Sequence, residues 1–151
     1  MSRNGISLIL FLALTVGGGL GIGLMTLPGD WYAALVKPEF NPPNWLFGPV
    51  WSILYVLIGI AGWRIYLREA SGTAMKLWWA ALALNFVWSP SFFSLHQTGL
   101  ALAIILALLA VILGFIVKAR FLDRPASLIF APYAAWVGFA SLLNASIFLL
   151  N

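Results

Sequence analysis

Five long apolar runs, separated by short polar turns, restrict the folds that this chain can adopt. Each run is long enough to cross a hydrocarbon core, which takes roughly 20 residues of helix. Of the 151 residues, 63% are hydrophobic and 8% are charged, and backbone in lipid must satisfy its own hydrogen bonds, as helices do. We therefore predict an all-α membrane protein with one domain over residues 1–151, a five-transmembrane-helix bundle. The predicted spans are residues 6–27, 45–67, 77–95, 100–117 and 127–150.

The first run is an apolar stretch that follows a basic residue, Arg3, near the N-terminus, and in this it is similar to a secretory signal peptide. It exceeds the usual ~7–15-residue apolar core of such peptides and no A-x-A-like cleavage site follows it, so we interpret it as a span. Two small-xxx-small spacings, Gly17/Gly21 and Gly19/Gly23, let another helix approach closely. This glycine face, Gly17 to Gly23, is our candidate contact for a homodimer.

The connection between the first two runs, residues 30–43, cannot be a membrane helix. Its prolines, Pro38, Pro42 and Pro43, lack N–H donors and push the preceding residues toward extended backbone. We predict an ordered, non-helical loop that covers a binding site.

Basic residues are distributed unevenly between the two ends of the predicted bundle. Seven of the eight lie at the end that holds the N-terminus, and Lys37 alone lies at the other. The positive-inside rule then places the N-terminus in the cytoplasm of a bacterial cell and the loop 30–43 outward. Topology thus explains the net charge of +4, with some attraction to anionic head groups of the lipid bilayer.

The eight tryptophans fall into two groups by position. Those near span ends fit the aromatic belt at membrane interfaces: Trp45, Trp63, Trp78 and Trp79. The second group, Trp51, Trp88 and Trp136, lies inside spans beside polar residues that are costly in lipid.

Helical spacing puts these inner tryptophans on polar and aromatic stripes. The three stripes are Trp51 with Tyr55, then Asn85 with Trp88 and Phe92, then Tyr133 with Trp136, Ala140 and Asn144. The two asparagines either bond between helices, an effect of ~0.6 kcal/mol on average, or line a pocket. Flat aromatic walls with few polar groups suit a large planar ligand. The predicted pocket residues are Trp31, Tyr32, Pro42, Trp51, Tyr55, Asn85, Trp88, Trp136, Ala140 and Asn144.

Residues for catalysis or metal binding are scarce. The chain has no cysteine, one histidine (His96, at a turn) and four carboxylates, none of them paired by spacing for acid–base work. We assign no catalytic residue, no metal site and no obligatory cofactor. A phosphate-binding glycine loop and a solvated basic stripe for nucleic acid are also missing.

Four motifs resemble the TspO, or tryptophan-rich sensory protein, family, which includes the translocator protein once called the peripheral-type benzodiazepine receptor. They are Trp31-Tyr32-x-x-Leu35-x-Lys37-Pro38 followed by Pro42-Pro43, Pro49-x-Trp51-x-x-Leu54-Tyr55, Asn85-x-x-Trp88 followed by Phe92-Phe93, and Pro132-Tyr133-x-x-Trp136 with Ala140 and Leu143-Asn144.

The resemblance implies a homodimeric five-helix bundle that binds porphyrin, haem and benzodiazepine-site ligands under the first loop. It places Trp31, Trp51, Asn85, Trp136 and Ala140 at family pocket positions. The implied role is a membrane receptor or carrier in tetrapyrrole sensing or transport. The alternative is a light-dependent porphyrin-degrading enzyme that uses the pocket tryptophans, Trp51 and Trp136. A third reading, from the residues alone, is an assembly partner whose aromatic side chains only pack.

Two positions depart from the family pattern. Phe40 stands where the family often has tryptophan, which changes the stacking surface of the loop. The last span has no tyrosine followed by Lys or Arg after Leu142, so the sterol motif of the mammalian branch, itself a weak pattern, is missing. We do not expect cholesterol as the native ligand.

Overall fold

Every regular element of the protein is helical in the computed structural model, which describes all 151 residues. In chain order the elements are α1 Arg3–Leu12, a π-helical turn Ala13–Gly17, α2 Gly18–Met25, α3 Asp30–Ala34, a 3-10 turn Asn44–Leu46, α4 Phe47–Arg68, α5 Thr73–Ser89, a second π-helical turn Pro90–Ser94, α6 Thr98–Ala119 and α7 Arg124–Leu150. The all-α prediction is confirmed.

Four helices are long and apolar enough to cross a membrane: Arg3–Met25, Asn44–Arg68, Thr98–Ala119 and Arg124–Leu150. The third predicted span corresponds to α5, whose α-helical part has 17 residues and which is not among these four. The count of five crossings therefore stays a prediction.

The core lies where α6 packs against α5 and α7, and where α4 packs against α7 and α1. The residues of the fourth predicted span, 100–117, are almost all aliphatic. In the structure one face of α6 is fully buried, with Ile105, Ile112 and Phe115 at 0% exposure. The other face holds exposed leucines such as Leu106 and Leu113.

Trp78 corrects the assignment of four tryptophans to the interfacial belt. It is fully buried, and its Nε1 donates a 2.9 Å hydrogen bond to the carbonyl oxygen of Ile58. Its ring occupies the space that a Cβ would need at Gly62. The absence of a side chain at Gly62, on the neighbouring helix, therefore leaves the space in which this tryptophan is buried. Trp45 and Trp79, by contrast, are largely exposed.

The loop 30–43 is not wholly non-helical, which corrects a second prediction. Its first residues form the short helix α3, Asp30–Ala34, with Asp30 in the first turn, where a carboxylate favours the helix dipole. The helix ends before the first proline of the loop: the backbone becomes extended at Leu35, three residues before Pro38. The remainder is extended or turned, as predicted.

The glycine face of the first helix is divided between two environments. A Cβ at Gly19 would collide with the ring of Tyr55, so this glycine allows α4 to approach. Gly17, Gly21 and Gly23 would meet nothing within 4 Å. Gly23 lines the cavity described below, so Gly17 and Gly21 are the two glycines of this face that have open space outside it.

Candidate ligand cavity

A cavity of about 550 Å³ lies between α2, α4, α5 and α7, beneath the loop 30–43. Seven of the ten predicted pocket residues line it: Tyr32, Trp51, Tyr55, Asn85, Trp88, Ala140 and Asn144. Its volume is within the range typical of small-molecule sites. The three aromatic and polar stripes thus converge on one space.

The other three predicted residues lie beside the cavity without lining it. Trp31 packs edge-on against Phe92, with ring centroids 5.8 Å apart. Pro42 offers its carbonyl oxygen to Asn41, whose Nδ2 lies 3.3 Å away. Trp136 stands behind Trp51, at 6.5 Å and 87° between the rings.

The aromatic wall is built mainly by α4 and α5. Trp51 and Tyr55, one helical turn apart, are stacked with centroids 5.6 Å apart and 26° between planes. Trp88 lies 6.5 Å from Trp51, tilted by 32°. These three rings form a nearly continuous surface, of the kind that stacks on a planar apolar ligand.

The two asparagines bond between helices and also line the cavity, so both readings of the sequence hold. Asn85 donates through Nδ2 to the hydroxyl oxygen of Tyr133 at 2.6 Å. Asn144 accepts from Nε1 of Trp88 at 3.0 Å and donates to the carbonyl oxygen of Thr98 at 2.9 Å. These bonds fix Trp88 and the amide groups in place before any ligand arrives.

The first helix contributes lining residues that the sequence analysis did not assign to the pocket. Thr26 near its end meets Ser89 on α5 with their hydroxyl oxygens 2.6 Å apart, and both residues line the cavity. Ser89 lies one residue before Pro90, where the helix becomes a π-helical turn. Pro90 is the sequence feature that indicates an irregular helix next to Ser89, since proline has no N–H to donate to the carbonyl oxygen of Phe86.

The second π-helical turn places two further aromatic rings in the cavity wall. Phe92 and Phe93 both line it, with centroids 4.8 Å apart. Such wide turns interrupt helices frequently at functional sites. Here the extra residue lets two consecutive phenylalanines face the same space.

Two contacts hold the loop over the cavity. Trp31 stacks on His96 with centroids 4.1 Å apart and 10° between planes, which joins α3 to the turn before α6. The side chain of Asn151 forms a pair of bonds to Val36, accepting from its N–H at 3.0 Å and donating to its carbonyl oxygen at 2.9 Å. The loop is therefore attached to the bundle through α3 and at the start of its extended part.

Tyr32 is the residue by which α3 reaches into the cavity. Its ring contacts Phe93 edge-on at 5.4 Å, and Nζ of Lys37 lies 4.5 Å above the ring centroid. Burial raises the pKa of the Tyr32 hydroxyl, so this residue presents a neutral donor at neutral pH. Lys37 also donates to the carbonyl oxygen of Leu35 at 3.2 Å, which keeps its charge close to the loop.

Fold and cavity together define an α-helical membrane protein with an aromatic cavity covered by a loop. The TspO/MBR family matches residues 10–150, nearly the whole chain. The chain belongs to this family.

Similar proteins come from bacteria, archaea and animals. The tryptophan-rich protein TspO of Chlorobaculum tepidum is 39% identical, with 95% of this chain and 97% of that protein covered. The protein of the same name from Archaeoglobus fulgidus is 43% identical over 80% of each chain. The translocator protein of Homo sapiens is 34% identical, with 88% of this chain and 85% of that protein covered.

Proposed function

We propose that the protein is a membrane receptor or carrier for porphyrin-type tetrapyrroles, including haem, which bind in the cavity under the loop 30–43. The observation that carries the proposal is the ring surface of Trp51, Tyr55 and Trp88 at one wall of a 550 Å³ cavity. A macrocycle is a large flat π-system, and parallel or offset contacts between rings stabilise it beyond the effect of burial alone.

The polar atoms of the cavity are few and mostly engaged. The amides of Asn85 and Asn144 already bond to Tyr133, Trp88 and Thr98. A ligand is therefore recognised mainly through its faces and its apolar edge. This agrees with a tetrapyrrole that needs no axial ligand from the chain, and with benzodiazepine-site ligands, which are also flat and apolar.

The membrane arrangement that accompanies this proposal has five crossings. The N-terminus and the turns 69–72 and 120–123 lie in the cytoplasm of a bacterial cell, and the loop 30–43 lies outward. Seven of the eight basic residues then face the cytoplasm, as the positive-inside rule requires. A homodimer forms through Gly17 and Gly21 of the predicted face Gly17 to Gly23, because a Cβ at either would meet nothing within 4 Å and neither lines the cavity.

A second candidate function is light-dependent degradation of the bound porphyrin. The observation that favours it is the edge contact between Trp51, which lines the cavity, and Trp136 behind it, at 6.5 Å. A porphyrin stacked on Trp51 would lie one ring contact from a second oxidisable indole. Illumination of the complex in air should then yield a new absorbing product that free porphyrin does not form. Failure to form it with the wild type would exclude this function and leave binding intact.

The binding proposal is tested by titrating the purified protein with protoporphyrin IX and following tryptophan fluorescence. We expect saturable quenching in the wild type and roughly 2- to 10-fold weaker affinity for Trp51→Phe, because one stacking contact contributes ~0.5–1.5 kcal/mol. Trp79→Phe, an exposed ring remote from the cavity lining, is the matched control and should bind as the wild type does.

The same titration also distinguishes a receptor from an assembly partner whose rings only pack. A ligand that binds only the folded state stabilises that state by about 2.7 kcal/mol at 100 times Kd. The thermal midpoint should therefore rise as the ligand is added. A midpoint that stays constant across the titration would contradict the proposal.

A further inference from the structure

A second apolar groove lies on the outer surface of the bundle, between α4 and α7. It is an open groove with a volume of about 490 Å³. Its lining residues are Val50, Ile53, Leu54, Leu57, Pro132, Ala135, Trp136 and Phe139. None of them lines the first cavity, so the groove is a separate site.

The shape of the groove follows from the spacing of these residues. On each helix they occur at i, i+3, i+4 and i+7, which is one face over two turns. The two helices run antiparallel, since Arg64 at the end of α4 pairs with Asp123 before α7 at 2.7 Å. The groove is therefore a straight channel about 10 Å long, parallel to both helix axes.

Ala135 has the smallest side chain in the lining, and larger side chains surround it. Leu54 is buried at its base. At one end Phe139 meets Phe40 of the loop, with ring centroids 6.3 Å apart. Trp136 forms the wall toward the ligand cavity.

Trp136 is held there by packing alone. Its Nε1 is buried and has no hydrogen-bond partner, while its ring touches Phe47 at 5.8 Å, Phe139 at 5.6 Å and Trp51 at 6.5 Å. The ring also lines the groove, where a close neighbour would add dispersion contacts. An apolar occupant would supply them.

The surroundings identify that occupant. Both helices are long and apolar enough to span the membrane, so the groove opens to hydrocarbon. On α4 it lies roughly 9 to 20 Å from the first residue of the span, by the helical rise. In a hydrocarbon core about 30 Å thick, that range includes the midplane, where the ends of the acyl chains lie.

We propose that this groove is a binding site for one acyl chain of a bilayer phospholipid. The chain lies parallel to α4 and α7, fills the space over Ala135 and supports Trp136 from the side opposite Trp51. A second copy of this chain is the competing occupant, but the channel is bordered by the large side chains Ile53, Leu57 and Phe139. Close helix pairs in membranes favour small residues there.

The test uses full-length protein reconstituted in phosphatidylcholine bilayers, with lipids brominated at mid-chain against unbrominated lipids. Bromine quenches indole fluorescence on contact, and the difference between the wild type and Trp136→Phe isolates the signal of Trp136. We expect bromolipid to quench most of that signal. Ala135→Phe, which fills the groove, should reduce the quenching at least threefold.

Ala107→Phe is the matched control, because Ala107 is exposed on α6 outside the groove, and it should leave the quenching unchanged. If Ala135→Phe fails to fold, Ala135→Leu fills the groove less and should show a smaller loss. Equal quenching in the filled and control variants would overturn the proposal. So would a Trp136 signal that is quenched only when the protein is diluted to monomers, since a second copy would then occupy the groove.

Discussion

At the scale of single residues, the cavity depends on where large rings meet small neighbours. Gly62 makes room for Trp78 in the core, and Gly19 makes room for Tyr55 beside the cavity. Spacing in the sequence identified Tyr55, Trp88 and Asn144 as inward-facing, and the structure places all three in the cavity lining. The sequence pattern misplaced Trp78, because this residue lies near a span end, where belt tryptophans are expected. Its burial depends on Gly62 of another helix, which local patterns do not show.

Gly19→Ala should lower the stability of the protein and weaken ligand binding. The new methyl group would overlap the ring of Tyr55, and overpacking of this kind costs about 1–3 kcal/mol. Thermal unfolding and a porphyrin titration measure the two effects. Gly138→Ala has open space around its Cβ and should be neutral or slightly stabilising, since alanine favours the helix. Equal midpoints for the two variants would contradict the packing described for Gly19.

At the scale of elements, the cavity is shaped by interruptions in helices and by the loop that covers it. Pro90 lies inside the third predicted span, 77–95, and a π-helical turn begins at this residue. The turn Ala13–Gly17 has no proline and no sequence signal that we recognise. The attachment of the loop through Trp31–His96 and Val36–Asn151 joins residues far apart in the chain, so local patterns could not show it.

Asn151→Ala should loosen the extended part of the loop. The N–H of Val36 donates to Asn151, so its removal exposes that amide to exchange. Hydrogen–deuterium exchange should be faster by at least tenfold in the peptide that contains Val36. Ser146→Ala, which removes a bond only within α7, should not change it. An unchanged rate in Asn151→Ala would show that the other contacts alone hold the loop.

At the scale of the whole molecule, composition was sufficient to predict an all-helical membrane protein. The boundaries moved by a few residues: the second predicted span, 45–67, is observed as Asn44–Arg68. Sidedness rests on charge. Besides the basic residues, Asp30 and Glu39 lie at the loop end and Glu69 and Asp123 at the other, so one end is clearly positive and the other slightly negative.

Single cysteines test this arrangement without background, because the natural chain has none. In intact bacterial cells, Glu39→Cys should react with a membrane-impermeant maleimide. Ser71→Cys, in the turn between α4 and α5, should react only after the membrane is opened. Labelling of both from the same side would contradict a single crossing of the membrane by α4 with the loop outward.

A porphyrin that occupies the cavity under the loop must pack beside Ala140. This residue lines the cavity and is 6% exposed, so Ala140→Phe fills space that the ligand needs. Titration with protoporphyrin IX should show affinity at least tenfold weaker than the wild type, with helix content unchanged and with Ala107→Phe binding normally. Equal affinity in Ala140→Phe and the wild type would show that the porphyrin does not bind in this cavity.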